Sequence, residues 1–501
     1  MKMPQYPDHF RTRSRQIAVA LVLMAICGCA VGPDYKRPEA TTIPEAYSGA
    51  EGEWKIAVPR AHLPKGNWWE IFGDAELNQL EADAATANQD LKAAAARFDQ
   101  ARAVADVARS GLFPRLGVSF QPVEQHDSKN RPVGGKPGQT YDSYTVPFDL
   151  SYELDLWGRV RRTVEGAAAQ AQASADDVES VRLAIQAEVA ADYFSVRALD
   201  ADKALLLSSI EVYSKSLALV RNRRTGGMVS DLDVAQAETV LKTTEAQLPD
   251  NTLQRAKFEH ALAVLTGKNA SLFHVPEQPL DLGPLIVPPD LPSDLLERRP
   301  DIAAAERRMA AANATIGVAK AAFFPTVKFN GLAGLQSADI GMLFDWPSRF
   351  WAVGPSVTLP LFQGGQLTAT LRQAKAVHEE TVAKYRGAVL AAFADVENNL
   401  AAEHLLAKQY EQVMDALQWA RKQSDIATNR YSSGLVTYLE VATAQNAALS
   451  TERSSVRLRG QQLVAAVALI KSLGGGWQAM DGTDGTTTPS GEGTMTKSTL
   501  R

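Results

Sequence analysis

Residues Tyr144–Leu154 read YTVPFDLSYEL: Tyr144, Val146, Phe148, Leu150, Tyr152 and Leu154 alternate with Thr145, Pro147, Asp149, Ser151 and Glu153. A period of two puts the first set on one face of a strand and the second on the other. The eleven residues match the length of a tilted strand that crosses a bilayer. Trp351–Leu361 (WAVGPSVTLPL) repeats the pattern, with Trp351, Val353, Val357, Leu359 and Leu361 on one face. Shorter alternating runs, LGVSF from Leu116 and VKFNGLAGL from Val327, precede the two long ones. Four strands are therefore expected, at about 114–122, 143–156, 325–336 and 350–361. Their connections, 121–143 and 336–349, are polar or aromatic, as suits an outer surface. Taken alone, the same alternation also fits a half-buried sheet in a soluble α/β protein.

The surrounding chain is duplicated. GMVSDLDVAQAE from Gly227 recurs as GLVTYLEVATAQ from Gly434, 207 residues on, and the same offset pairs Gly158 with Gly365 and Gly267 with Gly474. Upstream, Leu112–Pro114 matches Phe323–Pro325 at an offset of 211, so one connection has changed length by four residues. Each repeat reads helix, strand, strand, long helix, shorter helix. Val178, Val181, Ile185, Val189, Tyr193 and Val196 recur at helical spacing inside a reading that runs unbroken from Gly158 to Gly227. As a helix that stretch is about 100 Å long, while the helices 88–113 and 227–267 are about 38 and 60 Å. The two short helices laid end to end match the long one, so each repeat is expected to be a rod. Val275–Pro300 is proline-rich and reads as an extended crossover between the repeats.

The N-terminus supplies an address. Arg11, Arg13 and Arg15 precede the apolar run Ile17–Ile26, which is too short to span a bilayer but suits a signal peptide. The run ends Ile26-Cys27-Gly28-Cys29, with an aliphatic residue three before Cys29 and a small one just before it, as in a bacterial lipobox. Cys27 and Cys29 are the only cysteines; they are too close to pair without strain, and no cluster of further ligands stands nearby for a metal. Lipidation of Cys29 is the expected modification, with no other cofactor. Ala30, rather than aspartate, follows it, which favours the outer membrane.

The chain then divides into a signal peptide (1–28), a lipidated segment (29–75), repeat 1 (76–274), the linker (275–300), repeat 2 (301–475) and a Gly/Thr/Ser-rich tail (476–501). Without residues 1–28 the net charge moves from −5 to −8, since Lys2, Arg11, Arg13 and Arg15 leave with only Asp8. That balance excludes nucleic acid as a partner class.

Four strands cannot close, and an open edge cannot face lipid with its backbone groups unpaired. Membrane strands in this number require several chains in one barrel. Two chains would give a narrow eight-stranded barrel filled by side chains, and three would give twelve strands around a pore.

CAVGPDYKRP, WWEIFGDAELNQLEADAATANQDLKAAAARFDQAR, SYELDLWGRVRR, RRPDIAAAERRMAAANATIGVAKAAFFP, LPLFQGGQ and RYSSGLVTYLEVATAQ together resemble the outer-membrane factor family, the TolC- and OprM-like channels, in its NodT-like lipoprotein branch. The resemblance spans nearly all of residues 29–475. It implies a mainly α fold with membrane β: a homotrimer whose chains build a 12-stranded β-barrel and a long α-helical periplasmic barrel. It also implies a periplasmic adaptor and an inner-membrane pump, of the RND type, as partners in an efflux system.

The resemblance further implies roles for named residues. Gly226, Gly227, Met228 and Val229, with Gly434, Leu435 and Val436, become the periplasmic tips that meet the adaptor. Asp233, Glu440 and Tyr431 become the periplasmic aperture. Val436 and Thr443 stand where TolC carries an arginine and an aspartate, so the lock differs in detail. Glycines at a helix end and an acidic residue in a first helical turn also have ordinary capping roles.

No HExxH, GxSxG or GxxxxGK[ST] motif occurs and the seven histidines are scattered, so no enzyme is expected. The expected function is a passive exit duct for drugs or small toxic compounds. Two others share some of these features: a channel for type I protein secretion, and a structural outer-membrane lipoprotein without a pore.

Overall fold

A computed structural model describes residues 30–37, 66–130, 138–279 and 299–475. In chain order repeat 1 contains α1 (Ala75–Ala87), α2 (Gln89–Ser110), β1 (Arg115–Val118), β2 (Gln121–His126), β3 (Thr140–Leu154), α3 (Arg159–Thr225), α4 (Asp231–Glu245) and α5 (Gln247–Leu265). Repeat 2 contains α6 (Pro300–Ala321), β4 (Thr326–Ser337), β5 (Arg349–Thr358), α7 (Gln366–Ser432) and α8 (Tyr438–Ser472). The bounds of α2 and α6 differ by 211 at both ends; those of α3 and α7, each 67 residues, differ by 207. The duplication read from glycines is thus a duplication of elements. Signal peptide, Cys29, most of the linker and the tail lie outside the described residues.

Each long helix runs beside two short ones placed end to end. Asn88 makes the joint in repeat 1. Its backbone leaves the helical region, its side chain caps α2 by accepting from the Leu91 amide at 2.9 Å, and its Nδ2 donates to the Leu265 carbonyl that ends α5. In repeat 2 Arg299 serves the joint, donating to the Ser472 carbonyl at the end of α8 and pairing with Asp301 at 2.7 Å. The helix expected from 227 to 267 is two helices, α4 and α5, broken at Ala246. Pro249 lacks the N–H that would reach back to Glu245, so the ladder lapses there; α8, with no proline, is unbroken.

The strands form one antiparallel sheet in the order β1/β2, β3, β4, β5. β1 and β2 are one strand in a single register on β3, since Val118 faces Phe148 and Gln121 faces Thr145. Between them Ser119 donates to the Pro147 carbonyl at 3.2 Å, and Pro147 has no N–H to return the bond. Four strands per chain therefore stand. Their limits shift: residues 121–126 and 140–143, expected in a loop, are paired, and β5 stops at Thr358 rather than at 361. The extension is polar (Glu124 against Asp142, Gln125 against Tyr141), so it lacks the apolar alternation that marks the rest.

The register sorts the sheet into two faces. Leu116, Leu150, Gly331 and Val353 lie in one cross-strand row, and Val118, Phe148, Ala333 and Trp351 in the next. On the opposite face Arg115, Ser151, Asn330 and Gly354 align, beside Glu153, Lys328 and Ser356. The first face thus carries an apolar band, bounded by Arg349 beside Leu335, and the second is mainly polar, with Leu332, Ala352 and Phe350 among its residues; among the described residues the apolar band is not covered, Leu116 being 78% and Trp351 77% exposed. Both edges, β1/β2 and β5, are unpaired among the described residues.

Two clusters hold the helices. The larger joins Trp68, Phe72 and Leu77 to Val189, Tyr193 and Phe194 of α3, Tyr385 and Val389 of α7 and Leu469 of α8. The smaller, nearer the free end of the helices, joins Tyr213 and Val220 to Tyr431, Tyr438 and Val441. On α1 one group lies buried without compensation. Both oxygens of Glu81 have no hydrogen-bond partner among the described residues, and burial raises its pKa from 4.5 to about 9. The folded form therefore keeps a proton that the unfolded chain releases above about pH 4.5, and stability falls as pH rises from there towards 9. At neutral pH the cost is on the order of 3 kcal/mol. Glu81→Gln is expected to raise the thermal midpoint at pH 8 and to flatten its pH dependence between pH 5 and pH 9. An unchanged pH profile would count against the assignment.

Candidate functional site

The free ends of the two helical hairpins turn in the same way. At the end of α3, Gly227 has φ +73°; its N–H donates to the Arg224 carbonyl and the Met228 N–H to that of Arg223, both at 2.9 Å. At the end of α7, Gly434 has φ +76°, and its N–H and that of Leu435 bond Tyr431 and Arg430 identically. A positive φ with this bond pair is a Schellman turn, which favours glycine at that position. Met228 and Leu435 point outward, 70% and 71% exposed, at the tips. Val229 and Val436 turn inward and pack on the smaller core cluster, so of the tip residues these two serve the hairpins themselves.

Beyond the turns the repeats differ. Ser230 caps α4 in a capping box with Asp233: the Ser230 N–H donates to Asp233 Oδ2 at 3.0 Å, and the Asp233 N–H donates to Ser230 Oγ at 3.3 Å. The other oxygen, Asp233 Oδ1, accepts from the backbone N–H of Tyr438, the first residue of α8, at 3.3 Å. One carboxylate thus caps a helix in each repeat. Burial pushes the Asp233 pKa up, but the hydrogen bonds from Ser230 and Tyr438 outweigh it and hold it below the ordinary value. Its stabilising contribution is present at neutral pH and is lost only as pH falls through that depressed value.

Tyr431 is buried against Tyr438, with ring centroids 5.5 Å apart and edge-to-face. Its hydroxyl has no partner among the described residues. Burial, then the charge of Asp233, raises its pKa, against Arg223. Its junction role rests on the ring and the backbone: Arg223 Nη1 donates to the Tyr431 carbonyl at 2.8 Å and Nη2 to that of Ser432 at 2.7 Å, while the guanidinium lies 5.0 Å from the Tyr431 ring centroid. The α3 arginine therefore clasps the negative end of α7. Glu440 stands apart from this group. It is exposed, and among the described residues its ion-pair partner is Arg430, at 3.9 Å.

Farther from the tip the repeats are joined again. Arg453 forms a two-point pair with Asp202 at 2.7 and 2.8 Å, Asn251 donates to the same carboxylate, and the Tyr213 hydroxyl donates to the Gln445 carbonyl at 3.1 Å. Arg223, Tyr438, Asp202 and Arg453 were not singled out in the sequence. The one signal available for Arg223 was its partner in the repeat, Arg430, 207 residues on. Among the described residues no group of His, Cys, Asp or Glu is arranged to hold a metal, and no helix is long and apolar enough to cross a membrane.

At the other end of the rods, residues 30–37 strap both repeats where strands become helices. The Val31 N–H donates to the Trp157 carbonyl at 2.9 Å, Arg162 pairs with Asp34 at 2.6 Å, Asn313 donates to the Pro33 carbonyl, and Arg37 donates to the Tyr385 hydroxyl. Ala30 lies against Gly158, where a side-chain carbon would sit 2.7 Å from the Ala30 methyl.

The family model described as "Outer membrane efflux protein" matches residues 81–268 and 291–475. The toluene efflux pump outer membrane protein TtgF of Pseudomonas putida is 33% identical over 475 residues, covering 93% of this chain and 97% of that protein. Outer membrane protein OprJ of Pseudomonas aeruginosa is 32% identical over 464 residues, 92% and 96% of the two chains. The solved outer-membrane channel OprN superposes with a TM-score of 0.82 at 30% identity, over 90% of this chain and all of that one.

Proposed function

From the premise that this chain belongs to the outer membrane efflux protein family, we propose how it is assembled and what passes through it. It is an outer-membrane efflux channel component, a transport duct, with the TolC-like fold. Three copies contribute four strands each to a twelve-stranded barrel, with the row of Leu116, Leu150 and Val353 towards lipid and that of Ser151 and Asn330 towards water. The helical rods continue the barrel as a periplasmic tube about 100 Å long. Cys29 carries the lipid; the packing of Ala30 on Gly158, four residues beyond the end of β3, supports an anchor at the membrane boundary.

The exposed Met228 and Leu435 at the tips are the contacts offered to a periplasmic adaptor, which links the duct to an energised inner-membrane pump of the RND type. The cargo is small toxic or apolar molecules, the class to which the toluene in the name of TtgF belongs. The aperture is closed at the tip cluster, where Asp233 and Tyr431 hold the two hairpins of a chain together and Glu440 lies on the neighbouring groove.

The observation that carries this reading is the sheet, with an exposed apolar band on one face, a mainly polar opposite face, and both edges unpaired among the described residues. Purified protein in mild detergent is expected to have the mass of three chains and to conduct ions in planar bilayers. A monomer without conductance would contradict it.

A further inference from the structure

We propose that a groove floored by α3 and walled by α5 and α8 is a cargo-binding site on the bore side of the tube, shaped for drug-sized organic anions with an aromatic body. This rests on the duct reading above and deepens it by naming the class of cargo. The groove has a volume of about 840 Å³, within the roughly 300–1,000 Å³ of sites that take a drug-sized molecule. Its floor and both walls belong to one chain, so it is complete without a neighbouring copy.

Helical spacing fixes which way the groove faces. On α3, Tyr193, Phe194, Arg197 and Asp200 carry a second layer of chain: they bond Asp74, pack on Phe72 and bond Pro276 and Gln278 respectively. Ser195, Ala198, Leu199 and Asp202 line the groove from the opposite side of the same helix, at about 3.6 residues per turn. The division recurs on α8, where Leu463 and Ile470 join the cluster of Trp68 and Phe72 while Arg457 and Gln461 face the groove. A second layer inside a duct would obstruct it. That layer therefore stands outside, and the groove faces the bore.

The charges in the groove select the ligand. Towards the tip Asp202 and Arg453 neutralise each other, and Arg453 also donates to Gln247. Arg457, about one turn nearer the sheet on α8, is exposed and has no ion pair among the described residues. Beside it and beyond it towards the sheet, Leu199, Phe258 and Val464 offer apolar surface, with the amides of Gln254 and Gln461 among them. Farther on, Glu188 and Asp192 continue the α3 stripe, seven and three residues before Ser195. An amphipathic anion therefore lies one way round. Its carboxylate or sulfonate takes the planar fork of Arg457, and its rings lie on Phe258.

The duplication argues that neither group is there for helix packing. At the 207-residue offset Phe258 corresponds to Ala465 and Arg457 to Asp250. The equivalent groove, floored by α7 and walled by α8 and a neighbour's α5, therefore lacks both the ring and the cation. A trimer carries three such sites rather than six.

The test uses the full-length protein in lipid nanodiscs, with empty nanodiscs subtracted, and three fluorescent probes at neutral pH: anionic dansylglycine, neutral dansylamide and cationic dansylcadaverine. The protein is expected to bind dansylglycine saturably and about tenfold tighter than dansylamide, the worth of one charge-assisted hydrogen bond, and to bind dansylcadaverine most weakly. Arg457→Gln is expected to erase the preference for the carboxylate while leaving dansylamide binding unchanged. Phe258→Ala is expected to weaken both probes severalfold. Mass and ion conductance of the same preparations separate this site from the duct reading. A conducting three-chain particle overturns the site alone if it shows no saturable binding, prefers the cation, or keeps its affinities in both variants. A particle of one chain that does not conduct overturns the duct reading, and this inference with it.

Discussion

Phe148→Arg is expected to eliminate the membrane-inserted trimer, while Asn330→Arg leaves it intact. Phe148 lies near the middle of β3, in the cross-strand row with Val118, Ala333 and Trp351. Asn330 lies on the opposite face beside Ser151. Both positions are exposed in the single chain, so ordinary surface substitution would cost little at either site. Lipid changes that. An arginine facing hydrocarbon near the midplane costs about 2–4 kcal/mol, and three copies in one barrel multiply it to on the order of 10 kcal/mol. The same arginine on the water-filled side alters charge and selectivity and little else. Recovery of heat-modifiable trimer from isolated outer membranes checks the pair of variants. Equal yields would mean that the apolar face does not meet lipid.

Arg223→Ala is expected to raise single-channel conductance and open time in planar bilayers. The side chain makes two charge-assisted hydrogen bonds to the carbonyls that end α7, and no other described side chain takes its place there. Each such bond contributes about 1.5 kcal/mol at the lower end of its range, which applies at this half-buried position. Losing both shifts the closed-to-open ratio by roughly a hundredfold, at 1.4 kcal/mol per factor of ten. Arg223→Lys keeps the charge but cannot span two carbonyls with one planar fork, so an intermediate conductance is expected. Tyr431→Phe removes a hydroxyl that has no hydrogen-bond partner among the described residues, so by itself it should change conductance far less than Arg223→Ala. Wild-type conductance in Arg223→Ala would remove this clasp from the closed state.

Much of the architecture was legible because duplication constrains it twice. Glycines at 158 and 365, 227 and 434, and 267 and 474 mark the same joints in both halves, and the helix bounds follow them residue for residue. The membrane strands were legible where lipid demands alternation. They were not legible at Gln121–His126, where the strand continues beyond the apolar zone and only backbone pairing defines it. The helix start at Asn88 was legible and stands. The break at Ala246 was missed because periodicity passes smoothly through it: a proline interrupts the backbone without disturbing the apolar stripe.

At the tip, the sequence located the turns and the acidic positions but not their use. Asp233 and Glu440 occupy matching positions, yet one caps two helices and the other faces an open groove. That distinction depends on which repeat lies beside which, a fact of tertiary arrangement. Arg223 and Arg453 went unremarked for the same reason: each acts on a group more than 200 residues away, and nothing local in the chain announces it.

The central claim is that the sheet of one chain is part of a barrel whose apolar face meets lipid. Spin labels placed singly at residues 351 to 358 along β5, in trimers reconstituted into vesicles, test it most directly. Collision with oxygen, which partitions into lipid, is expected to peak at 351, 353 and 357, and collision with a water-soluble nickel chelate at 352, 356 and 358. Uniform access to the chelate at every position would contradict the account.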